Sequence, residues 1–473
     1  FSGNLISAAA GLPDATLILS TLANHALIMR ESNGENRWTF KSSLVRDATI
    51  RGMLPAQIRD CHRLIAGAIS QLPGTRALAY QEAHAHHCAG GEDYLAAARS
   101  GYAAAKSLIE KQQFYRARDL LRRAKEWASR INKDPKNWDA RVQGEAMIAL
   151  TLGEVELTLG DYSKANVAFT LALDIAGDAG VPWVEVPAHL HLGNSYLSQG
   201  KLILAKAHLQ QATQLHSARD EPELQVSVLH ARANLAVVEG KTKQAVSLLT
   251  NAIALSSGDH AGEAKASLSI ARAYLRSGDL KQARPILDSA LDAAILSKDR
   301  IIEGKVRNNL GVYLSSIEDY KGALIQFQLC IDLREGTGYT RGLVAGYHNL
   351  ADAYLQLNDN GHAWVAFKRS QELADDVGWD HASLINEIYL SYLGAQTHQD
   401  DENKQRLTSA IEYAIEIKNH ESAATGLWLQ GRLLISQNLE KEAKKTLQDC
   451  LDMCTAYAVP HVSKRAQLLS AGL

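Results

Sequence analysis

The feature that most constrains this chain is a glycine where a helix would rather have alanine. The stretch Asn308 to Leu333, NNLGVYLSSIEDYKGALIQFQLCIDL, is apolar at helical spacing, yet Gly311 falls inside its first helix, at a cost of about 1 kcal/mol relative to alanine. A glycine in a helix interior usually marks a close approach by another element. Taking Gly311 as anchor, Ala323, Phe327 and Cys330 follow it. The same spacing recurs in Gly193/Ala205/Leu209/Ala212, Ala233/Ala245/Leu249/Ala252, Ala271/Ala283/Leu287/Ala290, Ala351/Ala363/Phe367/Ser370 and Gly431/Ala443/Leu447/Cys450. Weaker copies lie at Gly153/Ala165/Phe169/Ala172 and Ala105/Ala117/Leu121/Ala124, with a degenerate one around Asn403, Leu407 and Ala410. The period is close to 40 residues.

Two antiparallel helices cross closely only where neither carries a large side chain, and a bulky residue then fills the groove beside the crossing. The order small, small, bulky, small resembles the tetratricopeptide repeat, from about residue 101 to the C-terminus. That resemblance implies an all-α solenoid of about nine helix pairs over 101–473. The usual repeat is 34 residues; a period near 40 is a feature of the repeat arms of large signalling ATPases. Turns are expected at Gly160-Asp161, Gly200-Lys201, Gly240-Lys241, Gly278-Asp279 and Glu318-Asp319, where glycine or polar residues stop the first helix.

Composition excludes several functions. The formal net charge is -2 with no long run of either sign, so there is no electrostatic footprint for nucleic acid or acidic lipid. No segment approaches the roughly 20 apolar residues of a membrane helix. Five scattered cysteines read as reduced core residues of a cytoplasmic protein. The chain starts at Phe1 rather than methionine, and we expect it to be a piece of a longer protein.

The first hundred residues leave the grid. Residues 1–40 read as a helix, a turn at Gly11-Leu12-Pro13-Asp14, a second helix to about Leu22, then strands ALIMR and RWTF joined by ESNGEN. That order describes a winged helix over residues 1–55, with a helical connector over 56–100. Phe40, Leu44, Arg46, Leu54, the His62-Arg63 pair and Ala85-His86-His87 are similar to the segment that joins winged helix to repeat arm in STAND-type ATPases, including LuxR/MalT-like regulators and ATPase modules fused to cyclases or kinases. Ser43 and Ile50 depart from that pattern, so no nucleotide contact is carried over. The resemblance implies a multidomain signalling ATPase or transcription regulator, with ATP bound in a domain upstream and no cofactor in this part.

Several signals have ordinary readings beside the chemical ones. EGKT at 239–242 ends like a phosphate loop, but the first glycine of that motif would fall at Leu235 within a helix; it reads as a repeat turn. His84, His87 and Cys88 share a helix face without a second ligand cluster, and read as packing, as do Cys450 and Cys454. The second helix of the winged segment is nearly free of positive charge, which favours packing over DNA contact. No nucleophile elbow or paired-acid motif is present, so no catalytic residue and no metal site are expected.

The remaining candidates line the inner wall, where the first helix of each repeat presents its second, fifth, ninth and twelfth positions. These include Asn194, His230, Asn234, Arg272, Asn308, His348 and Asp352. A ladder of polar groups there suits a protein or peptide partner, or a small polar ligand; the alternatives are a solvated face or hydrogen bonding between repeats. The expected function is a non-catalytic sensing and protein-interaction arm. A stand-alone scaffold without a nucleotide switch is the other reading.

Overall fold

A computed structural model describes the whole chain except residues 32–35, 74–78, 133–137, 180, 200, 217–221, 257, 399–400, 458 and 473. The chain divides into two compact units, Phe1–Thr158 with Tyr162–Asp220, and Leu159–Asp161 with Glu221–Leu473.

The first unit begins with α1 (Gly3–Ala10) and α2 (Thr16–Asn24), separated by Gly11 in the left-handed conformation at φ 64°. Strands β1 (Ile28–Arg30) and β2 (Trp38–Phe40) pair antiparallel, Met29 opposite Thr39. Ala15, Leu19, Ile28 and Trp38 close a small core beneath them. The middle of the expected ESNGEN turn lies outside the described residues. Then follow α3 (Ser43–Arg51), α4 (Pro55–Ser70), α5 (Gln81–Gly90), α6 (Tyr94–Glu110), α7 (Phe114–Ser129), α8 (Trp138–Leu159), α9 (Tyr162–Ala179), α10 (Pro182–Ser198) and α11 (Leu202–His216).

The second unit is a run of helix pairs: α12 (Pro222–Val238) with α13 (Thr242–Leu255), α14 (His260–Ser277) with α15 (Leu280–Ser297), α16 (Arg300–Ser316) with α17 (Tyr320–Arg334), α18 (Thr340–Gln356) with α19 (Asn360–Asp376), α20 (Asp380–His398) with α21 (Asp401–Glu416), α22 (His420–Ser436) with α23 (Glu440–Tyr457), and a last helix α24 (Pro460–Ser470). The fold is the tetratricopeptide-like all-α solenoid expected.

The small-residue grid does what its spacing requires. A Cβ added to Gly311 would collide with the Phe327 ring. The same collision would occur 2.5 Å from Phe169 at Gly153, 2.6 Å from Leu209 at Gly193 and 2.7 Å from Leu447 at Gly431. Ala323, Phe327 and Cys330 are themselves at most 1% exposed. The glycines therefore let the bulky residue sixteen positions on lie flat against the first helix. The degenerate copy follows suit, with Leu407 and Ala410 buried on α21.

The turns within pairs share a device that glycine alone does not supply. A residue one or two positions past the first helix is left-handed whether it is Gly240 at φ 74°, Gly278 at φ 77°, Glu318 at φ 65° or Asn358 at φ 59°. The aspartate next to it then caps the second helix: Asp279, Asp319 and Asp359 accept from the backbone N–H of Gln282, Gly322 and His362, which satisfies an otherwise unpaired helix donor. EGKT is one of these turns, with Lys241 starting α13 and paired to Glu239 at 2.7 Å. Gly200 lies outside the described residues.

In the second unit the curvature has a definite side. First helices of successive repeats touch, α12 with α14, α14 with α16, α16 with α18, α20 with α22 and α22 with α24, while second helices reach comparably close only to helices adjacent in sequence. The first-helix side is thus the short side of the curve. Arg465 on α24 accordingly reaches Asp352 on α18, three repeats away, at 2.6 Å.

Candidate functional site

The inner wall of the second unit is built from the first-helix positions that the grid singles out. On α18, His348 and Asp352 lie one turn apart. The His348 ring shares a hydrogen bond with the Asn386 side-chain oxygen of α20 at 2.8 Å, and packs edge-on against Phe367 and Tyr389. Asn386 in turn donates to Ser370, whose hydroxyl donates to the Val344 carbonyl. Burial lowers the His348 pKa, outweighing the hydrogen bond that the ring donates to Asn386 and the nearby Asp352 carboxylate, so burial favours the neutral ring, which serves as a structural link.

Asp352 is engaged from within the chain. Both of its oxygens accept from the Arg465 guanidinium, at 3.2 and 2.6 Å, and one also accepts from Gln356 at 3.1 Å. Burial would raise its pKa; Arg465 more than offsets this and the net direction is downward. Arg465 also stacks on the Trp428 ring, 5.1 Å from its centroid. This inner-wall acid is therefore neutralised by the last helix. Arg465 lies past the last full repeat, and no spacing rule points to it.

Asn308 on α16 accepts from Asn349 of α18 at 3.0 Å, which is hydrogen bonding between repeats. His230 on α12 is pushed to about 4 by burial and then by the Lys265 ammonium of the next first helix; Asn234 lies one turn further along α12, half-buried. Arg272 on α14 is exposed and has no ion pair among the described residues. The structure thus ties Asn308, His348 and Asp352 into links between repeats, while His230, Asn234 and Arg272 have no such link among the described residues.

Asn194 belongs to the first unit, on α10, where its side-chain oxygen is buried with no hydrogen-bond partner among the described residues. The polar fill there is histidine-rich. His189 and His208 approach through their Nδ1 atoms at 2.9 Å, and His191 pairs with Glu154 at 3.0 Å while stacking on Phe169. In the connector, His62 and His87 meet at 3.0 Å, and the His84 ring sits between Ser70 and Ser100 at 2.9 and 2.8 Å. Burial raises the Cys88 thiol to about 11. The imidazoles are met by one another, by hydroxyls and, at His191, by a carboxylate, and no group of three or more ligands able to hold a metal occurs among the described residues. Cys330, Cys450 and Cys454 are buried as expected; Cys61, read as a core residue, is exposed on α4. Among the described residues, no helix is long and apolar enough to cross a membrane.

Sequence reasoning missed a cationic group on the same wall. Lys305, at the second position of its repeat, lies 5.2 Å from the centroid of the Tyr339 ring, and Arg334 lies 5.3 Å from it. The grid pointed to Lys305 but not to Arg334, the last residue of α17, or to Tyr339, in the segment between α17 and α18.

Comparison with known proteins supports the fold. Tetratricopeptide repeat models match residues 262–336 and 186–217. Among solved structures, a Rap protein complexed with Competence and Sporulation Factor is 14% identical, with 78% of this chain and 99% of that chain covered and a TM-score of 0.57. Aspartyl phosphate phosphatase F from Bacillus subtilis is 12% identical over 74% of this chain and 91% of that chain, TM-score 0.50. A STAND protein with a tetratricopeptide repeat sensor from Pyrococcus horikoshii is 13% identical over 90% of this chain and 63% of that chain, TM-score 0.47. No curated protein sequence matches. At these identities the likeness is one of fold, and the repeats imply a role in protein interaction.

Proposed function

We propose that this chain is a non-catalytic sensing arm that binds a protein or peptide partner along the inner wall of its second unit, within a signalling ATPase or transcription regulator whose nucleotide site is ATP-dependent and lies elsewhere in the protein. The observation that carries the reading is the asymmetry of that wall. The helices on the short side of the curve present His230, Asn234, Arg272 and Lys305 with no hydrogen-bond or ion-pair partner among the described residues, while Asn308, His348 and Asp352 hold neighbouring repeats in register. A fixed curve with unspent polar groups on its concave side suits an extended chain, which supplies backbone and side-chain groups along its length. The solved Rap protein of this fold is complexed with Competence and Sporulation Factor, which supports a bound partner for the arm. The helix, helix, strand, strand order of residues 3–40 supports the winged-helix reading of residues 1–55, and a winged helix beside a repeat arm supports the ATPase context.

In such a design, a partner that binds one arrangement of the arm better than another shifts the equilibrium between them by the difference in binding free energy. The test is capture of partners from lysate on the purified chain, followed by titration of each against wild type and Asn234→Ala. Binding that saturates and weakens with the variant supports the inner wall. Partners that bind with unchanged affinity place the interface elsewhere. A gene that encodes no nucleotide-binding motif in the whole protein would leave the scaffold reading in place of the ATPase one.

A further inference from the structure

The inner wall of the second unit carries positive charge that no ion pair among the described residues neutralises. On α14, Lys265, Arg272 and Arg276 occupy one helical face at spacings of seven and four, and Lys305 faces them from α16; none has an ion-pair partner among the described residues. The acids on these two first helices are occupied, Glu303 by Arg307 at 2.7 Å and Glu263 by His260 at 3.4 Å. Beside them Arg334 is 3% exposed, a guanidinium taken almost wholly out of water. One of its N–H groups donates to the Gly342 carbonyl, but among the described residues its Nε has no hydrogen-bond partner and no carboxylate forms an ion pair with it. A buried cation without an anion is costly. The Tyr339 ring, held between Lys305 and Arg334, offers only the weak attraction of an aromatic face.

We propose that Arg272, Lys305, Arg334 and Tyr339 form an anion subsite that takes a carboxylate of an acidic peptide lying in the groove. This deepens the reading of the inner wall as a peptide groove and rests on it. Arg272 and Lys305 supply charge from two successive first helices, so the subsite spans a repeat boundary and reads an extended segment rather than a single turn. Arg334, held by its bond to the Gly342 carbonyl and lying close over Gly304, whose added Cβ would come within 3.0 Å of its Nε, supplies the buried charge of the subsite. The phenol responds to the same field: burial would raise its pKa, but Lys305, Arg334 and Arg272 together bring it below the ordinary tyrosine value. An acceptor-only carboxylate meets this donor set, whereas a cationic or neutral segment leaves it uncompensated.

The experiment is fluorescence anisotropy of the intact chain with short labelled peptides that differ only in charge, alternating alanine with glutamate, glutamine or lysine, and with phosphoserine in one further peptide. The glutamate peptide is expected to bind at least about tenfold more tightly than the glutamine one, and to lose about tenfold in affinity in Arg272→Glu and Lys305→Glu. Arg272 is exposed and Lys305 half-buried, and circular dichroism checks that both variants stay folded; Lys305→Met, which removes charge without reversing it, gives an intermediate loss. Glutamate-peptide binding that is indifferent to all three substitutions overturns the subsite. So does equal binding of the glutamine peptide, which would leave the groove reading intact. A phosphoserine peptide that binds more than about tenfold better than glutamate overturns the carboxylate assignment. Failure of every peptide, with partners from lysate also indifferent to Asn234→Ala, overturns the groove reading itself.

Discussion

The two units use one repeat scaffold and fill its polar positions differently. In the first unit the groups between helices are imidazoles that satisfy one another, His62 with His87 and His189 with His208. Its most buried charge, Glu156 at 2% exposure, is met by Arg122 at 2.7 Å through a single oxygen, and its other oxygen has no partner. In the second unit the corresponding role falls to a fully paired ion pair, Asp352 with Arg465, and to a surplus of unneutralised cations. The apolar grid is the same in both, Gly153 on Phe169 and Gly311 on Phe327. The lesson is that small-to-bulky packing sets the solenoid while the polar fill is free to set how each unit responds to protons and to charged ligands.

If the apolar grid is equivalent in the two units, its bulky member should cost the same in both. Phe169→Ala and Phe327→Ala each empty a site at most 1% exposed, and each should lower stability by about 3–5 kcal/mol. Urea unfolding followed by circular dichroism checks this, with ligand-free protein throughout. A difference of more than about 2 kcal/mol between the two would break the equivalence.

The polar fill should differ more than the grid. Asp352→Ala strands the Arg465 guanidinium against Trp428, and with side chains 19% and 27% exposed the loss should be about 2–3 kcal/mol. Glu156→Gln in the first unit keeps a hydrogen-bonding oxygen for Arg122 and removes a charge whose second oxygen is unsatisfied, so it should cost under about 1 kcal/mol. Equal losses would mean that both pairs do the same work.

Protons sharpen the comparison. His87 is held at about 4 by burial first and then by its His62, His86 and His84 neighbours, and His189 at about 4 by burial and His208. Their unfolded values lie near 6.5. The folded state therefore binds fewer protons than the unfolded one in this interval, so the stabilisation is complete above about pH 6.5 and is lost as pH falls toward about 4. His87→Gln should reduce the slope of stability against pH across that window by a fraction of the about 1.4 kcal/mol per pH unit that one proton carries, since the ring is only half-buried. Chemical denaturation at intervals between those pH values measures it; an unchanged slope would remove the connector histidines from the account.

The grid was legible because packing forces it to be local. A bulky residue sixteen positions after a small one can be read from one strip of sequence, and Gly311 with Phe327 was. The strand pair and the order of the first four elements were legible for the same reason. The candidate site was legible only in part. His348 and Asn308 are on the inner wall, but whether a polar group there faces a ligand or a neighbouring repeat depends on residues 38 and 41 positions away. Asp352 looks available until Arg465 arrives from 113 positions further on. Arg334 closes α17 and Tyr339 sits in the linker after it, both away from the positions that the grid marks.

The turns offer the finest test of how far a shared position dictates a residue. Glu318 and Gly278 occupy the same place in successive repeats, with φ 65° and 77°. The left-handed conformation costs a residue with a Cβ roughly 1 kcal/mol, while glycine gives back about 0.5–1 kcal/mol through the greater freedom of its unfolded chain. Glu318 also forms a pair with Lys464 at 3.6 Å with both side chains more than 60% exposed, an arrangement of little worth in water. Glu318→Gly should therefore change stability by no more than about 0.5 kcal/mol. Gly278→Ala is the reverse exchange, with open space around the added Cβ, and by the same arithmetic it should lose no more than about 0.5 kcal/mol. Midpoints of urea unfolding for the two variants check this. A large gain in Glu318→Gly would mean that the turn stores strain in the wild type, and a large loss that the Lys464 contact holds the last helix, and with it Arg465, over the inner wall.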